Sequence, residues 1–377
     1  MDDFNKDANH DVSQKLACTG CGAKLIFAPG TDSLKCQYCG DINKIEIKEI
    51  APIEEYDFLQ AIRNGVSVAE KHEISTVKCP SCGAQSTLAP NISSDQCAFC
   101  GTPLVVEQAS RTSIIKPKSL LPFKITSKQA GTFFKDWLHG LWFAPNKLKK
   151  YAKLSEKLKG MYMPYWTYDS QTFTSYRGQR GTNYTVQESY TDSDGNRQTR
   201  TVTKIRWRSV SGNVSKFFDD VLVLASNSLS RKHTQQLEPW DLENLVNFDE
   251  QFLSGFQTEV YQIGLEEGFT EARGRMEAEI RNLIHQDIGG DHQRISSMNP
   301  SFNDITFKHL LLPLWISAYR YNDKVYRFLV NARTGEVKGE RPYSIIKITL
   351  AVLAGLALLT ALYYFFGDDP NFGYQYR

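Results

Sequence analysis

The eight cysteines of this chain stand at Cys18, Cys21, Cys36, Cys39, Cys79, Cys82, Cys97 and Cys100, four Cys-x-x-Cys pairs with none left over. A glycine follows each pair, at Gly22, Gly40, Gly83 and Gly101, and the second set repeats the first at an offset of 61 residues. A structural Zn2+ site needs four thiolates in a tetrahedron, and each Cys-x-x-Cys turn supplies two of them. The glycine lets the chain curl so that backbone amides face the sulfurs. Two such turns joined by a short hairpin make a zinc ribbon, and the matching segments Gly22-Ala23 with Ala28-Pro29 and Gly83-Ala84 with Ala89-Pro90 reinforce the repeat. Disulfide pairing is the rival reading; the repeated all-thiolate spacing favours two structural zinc ions. Both sites are closed, with no position open to a substrate or an activated water. In modules this short, metal binding supplies on the order of 10 kcal/mol of folding free energy per site. Thiolates that must stay reduced favour a cytosolic setting.

The second constraint lies at the far end. Ile348 to Phe366 is an uncharged run of Leu, Ala, Val and aromatics, extended by Ile345-Ile346-Lys347. About 20 residues at ~1.5 Å each cross a hydrocarbon core of ~30 Å, so one transmembrane helix over residues 345–366 is expected, with a buried soluble helix as the alternative. Tyr363 and Tyr364 fall where an interfacial belt belongs. Lys338, Arg341 and Lys347 precede the span while Asp368 and Asp369 follow it. The positive-inside rule then puts residues 1–347 in the cytoplasm and 367–377 outside. Residues 1–17 are polar and acidic, unlike a signal peptide. The expected location is the cytoplasmic (inner) membrane, single-pass, with the bulk of the chain cytosolic.

A formal net charge of +2 hides strong local imbalance. Residues 1–110 carry 9 basic and 15 acidic side chains. Each zinc–tetrathiolate centre adds about two further negative charges. Ribbons so acidic repel a phosphate backbone, and a protein-docking or spacer role is favoured. Residues 111–160 carry 12 basic and 2 acidic side chains. Thr126 or Ser127 caps a helix there, with Phe133, Phe134, Trp137, Leu138, Leu141 and Trp142 at helical spacing and Pro145 as its stop. Asn146 to Lys159 reads as a second, very basic helix. The rings face either a core or an anionic leaflet, and Lys147, Lys149, Lys150 and Lys153 are candidate contacts for an anionic partner.

From Met161 the pattern turns to strands. Met161 to Arg177 and Tyr184 to Tyr190 lead into Asp192-Ser193-Asp194-Gly195-Asn196, a hairpin signal. The returning strand, about Thr199 to Val210, puts Arg200, Lys204, Arg206 and Arg208 on one face, a second candidate for anionic contacts. Phe218 to Ala225 reads as a buried strand, Ser230 to Leu237 as helical, and Gln257 to Gly264 as a strand. Leu265 to Asp287 reads as an amphipathic helix stopped by Gly289-Gly290. Asp304 to His309, Leu310 to Tyr321 and Lys324 to Asn331 read as three more strands. A faint echo links Met163-Pro164-Tyr165-Trp166 with Leu312-Pro313-Leu314-Trp315, and more weakly with Leu121-Pro122-Phe123. It marks either a duplicated strand unit or chance.

The expected fold class is therefore α+β: zinc ribbon 1 over 1–48, a linker with a short helix around Phe58, Leu59 and Ile62 over 49–77, and zinc ribbon 2 over 78–110. A basic helical segment over 111–160, a β-rich body over 161–344, the span over 345–366 and a short tail over 367–377 complete it.

Catalytic motifs are missing. There is no Gly-Lys dipeptide, hence no phosphate loop of the Walker type, and no cysteine is spare to act as a nucleophile. His285, Asp287, Asp291 and His292 around Gly289-Gly290 have metal-ligand chemistry, but a helix stop with polar caps explains them more simply. No enzyme activity is expected.

The paired ribbons, together with Tyr165-Trp166-Thr167-Tyr168-Asp169, Gly178-Gln179-Arg180-Gly181, Phe217-Phe218-Asp219-Asp220-Val221, Asp287-Ile288-Gly289-Gly290-Asp291, Thr306-Phe307-Lys308-His309, Thr334-Gly335-Glu336 and Gly339-Glu340-Arg341-Pro342, resemble a bacterial family of membrane-anchored double zinc-ribbon proteins. Members carry labels such as primosomal protein N′ or superfamily II helicase-like, replisome-organiser-like, or transcription-factor-IIB-type zinc ribbon. The resemblance implies architecture more than activity. A helicase motor needs the phosphate loop this chain lacks. Relatives beside phage-shock-type and flotillin-like membrane proteins imply an envelope-stress scaffold. Two expectations follow: a non-catalytic, membrane-tethered adaptor docking protein partners, or a nucleic-acid-binding replication accessory factor without a motor.

Overall fold

The computed structural model describes residues 16–46, 55–65, 71–87, 94–105, 109–145, 158–193, 195–321 and 324–366. Near the N-terminus, β1 (Leu25–Phe27), β2 (Ser33–Cys36) and β3 (Ile42–Lys44) form a three-stranded antiparallel sheet. A short strand β4 (Tyr56–Asp57) runs into α1 (Phe58–Asn64), the helix expected around Phe58, whose start is capped by the Asp57 carboxylate accepting from the Gln60 amide. Next come β5 (Lys71–Lys78), β6 (Gln85–Thr87), β7 (Ser94–Gln96), β8 (Pro103–Val105) and β9 (Ala109–Ile115), with β6-β5-β9 as one sheet and β7-β8 as another. The second cysteine module thus reaches back into the linker span and forward into the basic segment.

The body contains β10 (Ser119–Leu120), α2 (Ser127–His139), β11 (Lys159–Thr191), β12 (Arg197–Leu224), α3 (Arg231–Gln235), β13 (Val246–Asn247), β14 (Gln257–Thr258), α4 (Leu265–Ile288), β15 (His292–Tyr321), β16 (Lys324–Asn331) and β17 (Val337–Gly339). The apolar helix α5 (Ile345–Phe366) follows. One mixed sheet runs β12-β11-β15-β10-β13, with β14 added to β11, β16 and β4 to β15, and β17 to β16. The chain is therefore mixed α/β with a β-rich body, two four-cysteine clusters near its start and one apolar helix near its end.

The echo around the two prolines marks a structural repeat. β10 lies parallel to β15 and β14 lies parallel to β11, in matching registers. The Ala332 amide donates to Pro313 O, and the Ala225 amide to Pro164 O. Ile125 N then bonds Ala332 O while Ile263 N bonds Ala225 O. The Trp315 indole donates to Ile125 O at 2.8 Å and the Trp166 indole to Ile263 O at 2.9 Å. A helix starts two residues after each of those isoleucines, at Ser127 and Leu265. Two strand–helix–strand–strand units thus grip each other about a local two-fold between β11 and β15, where Tyr162 faces Pro313 and Pro164 faces Leu311.

Strand alternation separates the two faces of the sheet. On one face Tyr162 and Trp315 meet ribbon 1 and α2, and Trp166, Tyr168 and Phe307 meet α4 and α1. On the other, Met161, Met163, Tyr165, Leu312 and Leu314 meet ribbon 2 and the Leu237–Trp240 segment. The four-cysteine modules therefore sit on opposite faces of one sheet.

Several boundaries differ from the sequence expectation. α2 has Thr126 as its cap, in a capping box with Gln129, but ends at His139, because the chain turns at Gly140 before reaching Pro145. The core-facing reading holds for part of the set: Phe134, Leu138 and Leu141 are buried and the Phe134 ring stacks on Phe328 at 3.6 Å, whereas Phe133 and Trp142 are exposed, the latter beyond the helix end. The second basic helix expected at Asn146 to Lys159 falls mostly outside the described residues. Met161 to Arg177 and Tyr184 to Tyr190 are one continuous strand, β11. The runs Thr199 to Val210 and Phe218 to Ala225 also merge into one strand, β12, which ends at Leu224. Asp304 to His309 and Leu310 to Tyr321 are likewise one strand, β15. Only Gln257–Thr258 of the Gln257 to Gly264 run is strand. Gly178, in the gap between the two expected strands, is a close-approach site: a Cβ there would lie 2.5 Å from Arg294 O.

Beyond Asp169, β11, β12 and β15 continue as a long arm. α4 covers one face, burying Thr172, Thr174 and Tyr176, while Phe173, Ser175 and Arg177 on the other are exposed. β15 pairs no further than Gly181, so residues 182–191 and 197–206 continue as a two-stranded ribbon. Ten residues at ~3.3 Å each make that ribbon about 33 Å long.

Candidate metal centres and a charged node

Each cysteine set gathers at one point. In both, the four Sγ atoms lie within 4.8 Å of one another. Cys18–Cys39 and Cys21–Cys36 are 3.5 Å apart, and Cys79–Cys100 and Cys82–Cys97 are 3.6 Å apart. A disulfide needs about 2.05 Å. A tetrahedron with Zn–S bonds of about 2.3 Å has edges of about 3.8 Å. The donor set and its spacing are thus compatible with zinc in both centres, and all eight cysteines are free thiols.

The four turns share one design. Cys18 N bonds Ala23 O and Gly22 N bonds Cys18 O, and the same pair of bonds recurs at Cys36, Cys79 and Cys97. Gly22, Gly40, Gly83 and Gly101 have φ of 72°, 81°, 76° and 75°, and a Cβ on any of them would meet nothing within 4 Å. Conformation alone, not crowding, selects glycine there. The backbone amides of Cys39 and Tyr38 bring the Cys36 thiol down to about 6. Burial works against the Cys100 thiolate, yet the Thr102 hydroxyl and amide bring it down to about 7. Burial pushes Cys97 upward. Cys21 and Cys39 are exposed, whereas no cysteine of the second centre is.

Both modules are bolted to the body. Phe27 N donates to Ser254 O, the Ser254 hydroxyl donates to Leu25 O at 2.6 Å, and Gly30 N donates to Phe123 O. On the other face Val260 N donates to Gln85 O, the Arg327 guanidinium to Phe99 O, and Lys159 pairs with Asp95 at 2.7 Å.

A second cluster escaped sequence reasoning. At a bulge where the registers of β11 with both neighbours shift, Asp169 is buried beside Asp219, Asp220 and Lys308. The Lys308 ammonium lies 2.7 Å from Asp220, 2.9 Å from Glu55 and 3.9 Å from Asp169. Glu55 also accepts from the Thr306 hydroxyl, and Asp169 accepts from the Asp220 amide. Burial and the hydrogen bond with Glu55 push Asp169 up to about 7. The carboxylates hold the Lys308 proton against the penalty of burial. Asp220 and Asp304 adopt left-handed φ of 50° and 49°. The Lys308 ammonium offsets part of the carboxylate charge and bridges Asp220 to Glu55, so the node acts as a rivet tying Glu55, ahead of α1, to the middle of the sheet. Asp169, Asp220 and Lys308 each lie in a different one of the motifs that carry the family resemblance. The available signal was a lysine within the apolar run of β15.

The His285–His292 group is a helix stop. Asp287 accepts from the Tyr176 hydroxyl at 2.5 Å, Asp291 accepts from the Asn183 amide, and the Arg180 guanidinium donates to Ile288 O. Gly289 and Gly290 have φ of 62° and 78°. Of the basic stripe, Lys204 and Arg200 reach Glu188 at 2.7 and 3.6 Å, and Arg206 lies over the Tyr184 ring at 4.8 Å. Arg208 stands opposite Arg180 on the neighbouring strand, just before the two-stranded ribbon begins. Lys147, Lys149, Lys150 and Lys153 lie outside the described residues.

No protein-family model matches the chain, and no solved structure matches it. It is similar to the uncharacterized protein YdjG of Bacillus subtilis (strain 168), with 25% identity over 341 residues covering 90% of this chain and 93% of that protein.

Proposed function

We propose that the chain is a non-catalytic, membrane-tethered adaptor in which two zinc ions stabilise the ribbons and the long arm is the docking element. The arm carries the reading. Both faces of the sheet are covered where the ribbons and helices sit, yet β11 and β12 run on for about 33 Å beyond the end of β15 with neither face covered. A sheet built that far past its core stabilises little and presents much surface. α5, 22 residues long, is apolar enough to cross a membrane. Its flanking charges favour an arm on the cytoplasmic side of the inner membrane. Phage-shock-type or flotillin-like membrane proteins are the partners that the family resemblance suggests.

The test is crosslinked co-purification from native membranes, with zinc quantified in the same sample, comparing the full chain with a variant whose residues 184–204 are replaced by a short turn. The adaptor reading expects two zinc ions per chain, membrane retention by both proteins, and loss of captured partners by the shortened one. Equal capture by both overturns the arm as docking element.

A second reading, nucleic-acid binding in a replication accessory role, is supported by the arm face that carries Arg180, Arg200, Lys204, Arg206 and Arg208 against Glu188. It expects retention of DNA or RNA that falls steeply with salt. Binding unchanged by Arg206→Glu and Arg208→Glu sinks it.

A further inference from the structure

We infer that the turn after α2 is a second membrane contact, with Trp142 and Phe143 entering the headgroup–acyl boundary of the bilayer that α5 crosses. This rests on the membrane-anchor reading. Trp166, Trp240 and Trp315 are buried, whereas Trp142 is 79% exposed, and Phe143 and Tyr343 are exposed beside it in the chain's path to α5. Leu141 and Ala144 point into the core, which turns the two aromatic rings between them outward.

The turn is fixed to the start of α5. Phe143 O accepts from the Ser344 amide at 2.8 Å. The Lys347 ammonium donates to Trp142 O at 3.1 Å and to Ala144 O at 2.9 Å. Lys347 is the third residue of α5, so its charge stands at the edge of an otherwise apolar span. A charge there is costly in hydrocarbon and is drawn toward polar groups at the interface. Here those groups are the carbonyls of the turn itself, which places Trp142 at the depth where the helix enters. Trp and Tyr rings, apolar in body and polar at one edge, favour that depth. Arg341 lies over the Tyr343 ring at 5.3 Å, adding a cation where lipid phosphates would lie.

The test uses the full-length protein in vesicles of phosphatidylcholine and phosphatidylglycerol whose acyl chains carry bromine close to the headgroup. Bromine quenches tryptophan fluorescence on contact. Wild type should float with the vesicles and be quenched, while Trp142→Phe floats equally and loses at least half of the quenching. Equal quenching of the two floating proteins, or none in wild type, overturns the contact with the anchor intact. Failure of both proteins to float overturns the anchor reading and this inference with it.

Discussion

In the first half of the body, Pro164 and Trp166 lead into a hairpin that runs out to Thr191 and returns from Arg197. In the second half, Pro313 and Trp315 lead into one that runs only to Tyr321, returns from Lys324 and is back at Asn331. Around the local two-fold the halves share the bonds of the prolines, isoleucines and tryptophans; away from it they diverge. The long hairpin becomes the arm, and the short one is followed by β17 and α5. The symmetric centre holds the fold together, and each half spends its outer end on a different task.

Removing the proposed zinc tests whether that centre stands without the modules bolted to it. Cys97→Ser or strong chelation should forfeit binding energy on the order of 10 kcal/mol at that site and unfold ribbon 2, read by zinc content and thermal melting. If melting is unchanged, the centres contribute nothing to folding.

Trp166→Ala and Trp315→Ala probe the two-fold itself. Each ring is buried and donates to the equivalent isoleucine carbonyl, so each variant should lose about 3–5 kcal/mol in denaturant unfolding. Losses that differ by more than about 2 kcal/mol would break the equivalence.

Glu259 sharpens the comparison, because it holds the position that Leu121 holds in the other half: Glu259 N bonds Tyr162 O as Leu121 N bonds Leu311 O. Burial pushes its carboxyl from 4.5 up to about 7. The folded state therefore keeps a proton that the unfolded chain has released. The stability this group contributes is complete below about pH 4.5 and is lost as pH rises through 7. Glu259→Gln does not titrate, so its stability relative to wild type should rise across that window by on the order of 1–3 kcal/mol. Comparing the two proteins at each pH cancels the effect of acid on the thiolates. A difference that does not vary with pH would show that Glu259 stays ionised.

The smallest effect belongs to the arm. Phe173 and Phe217 are more than half exposed, so Phe173→Ser and Phe217→Ser should each change stability by no more than about 0.5 kcal/mol. A larger loss would mean that the bare face is covered.

The cysteine turns and α4 were legible because each depends on residues close in sequence: two thiols and a glycine, or an apolar period ended by Gly289-Gly290. The length of the strands was not. Gly178 and Gly181 resemble turn residues, but they sit where neighbouring groups come within 3 Å of a Cβ, which only the paired structure reveals. Asp220 and Asp304 bend the strands without ending them. The structural repeat left little trace in sequence because most of its repeated bonds are made by backbone, which any residue supplies. The charged node is assembled from Glu55, Asp169, Asp220 and Lys308, whose positions no local pattern connects.

The hydrogen bond from Ser254 to Leu25 O joins residues 229 apart. Ribosomes add about 5–20 residues per second, so roughly 10–45 s separate the synthesis of β1 from that of the segment it rests on. The contacts of the first cysteine centre are local and can close within that interval. Leu25 and Phe27 then wait without their seat, so the newborn module keeps apolar surface bare until Phe252 and Phe256 follow.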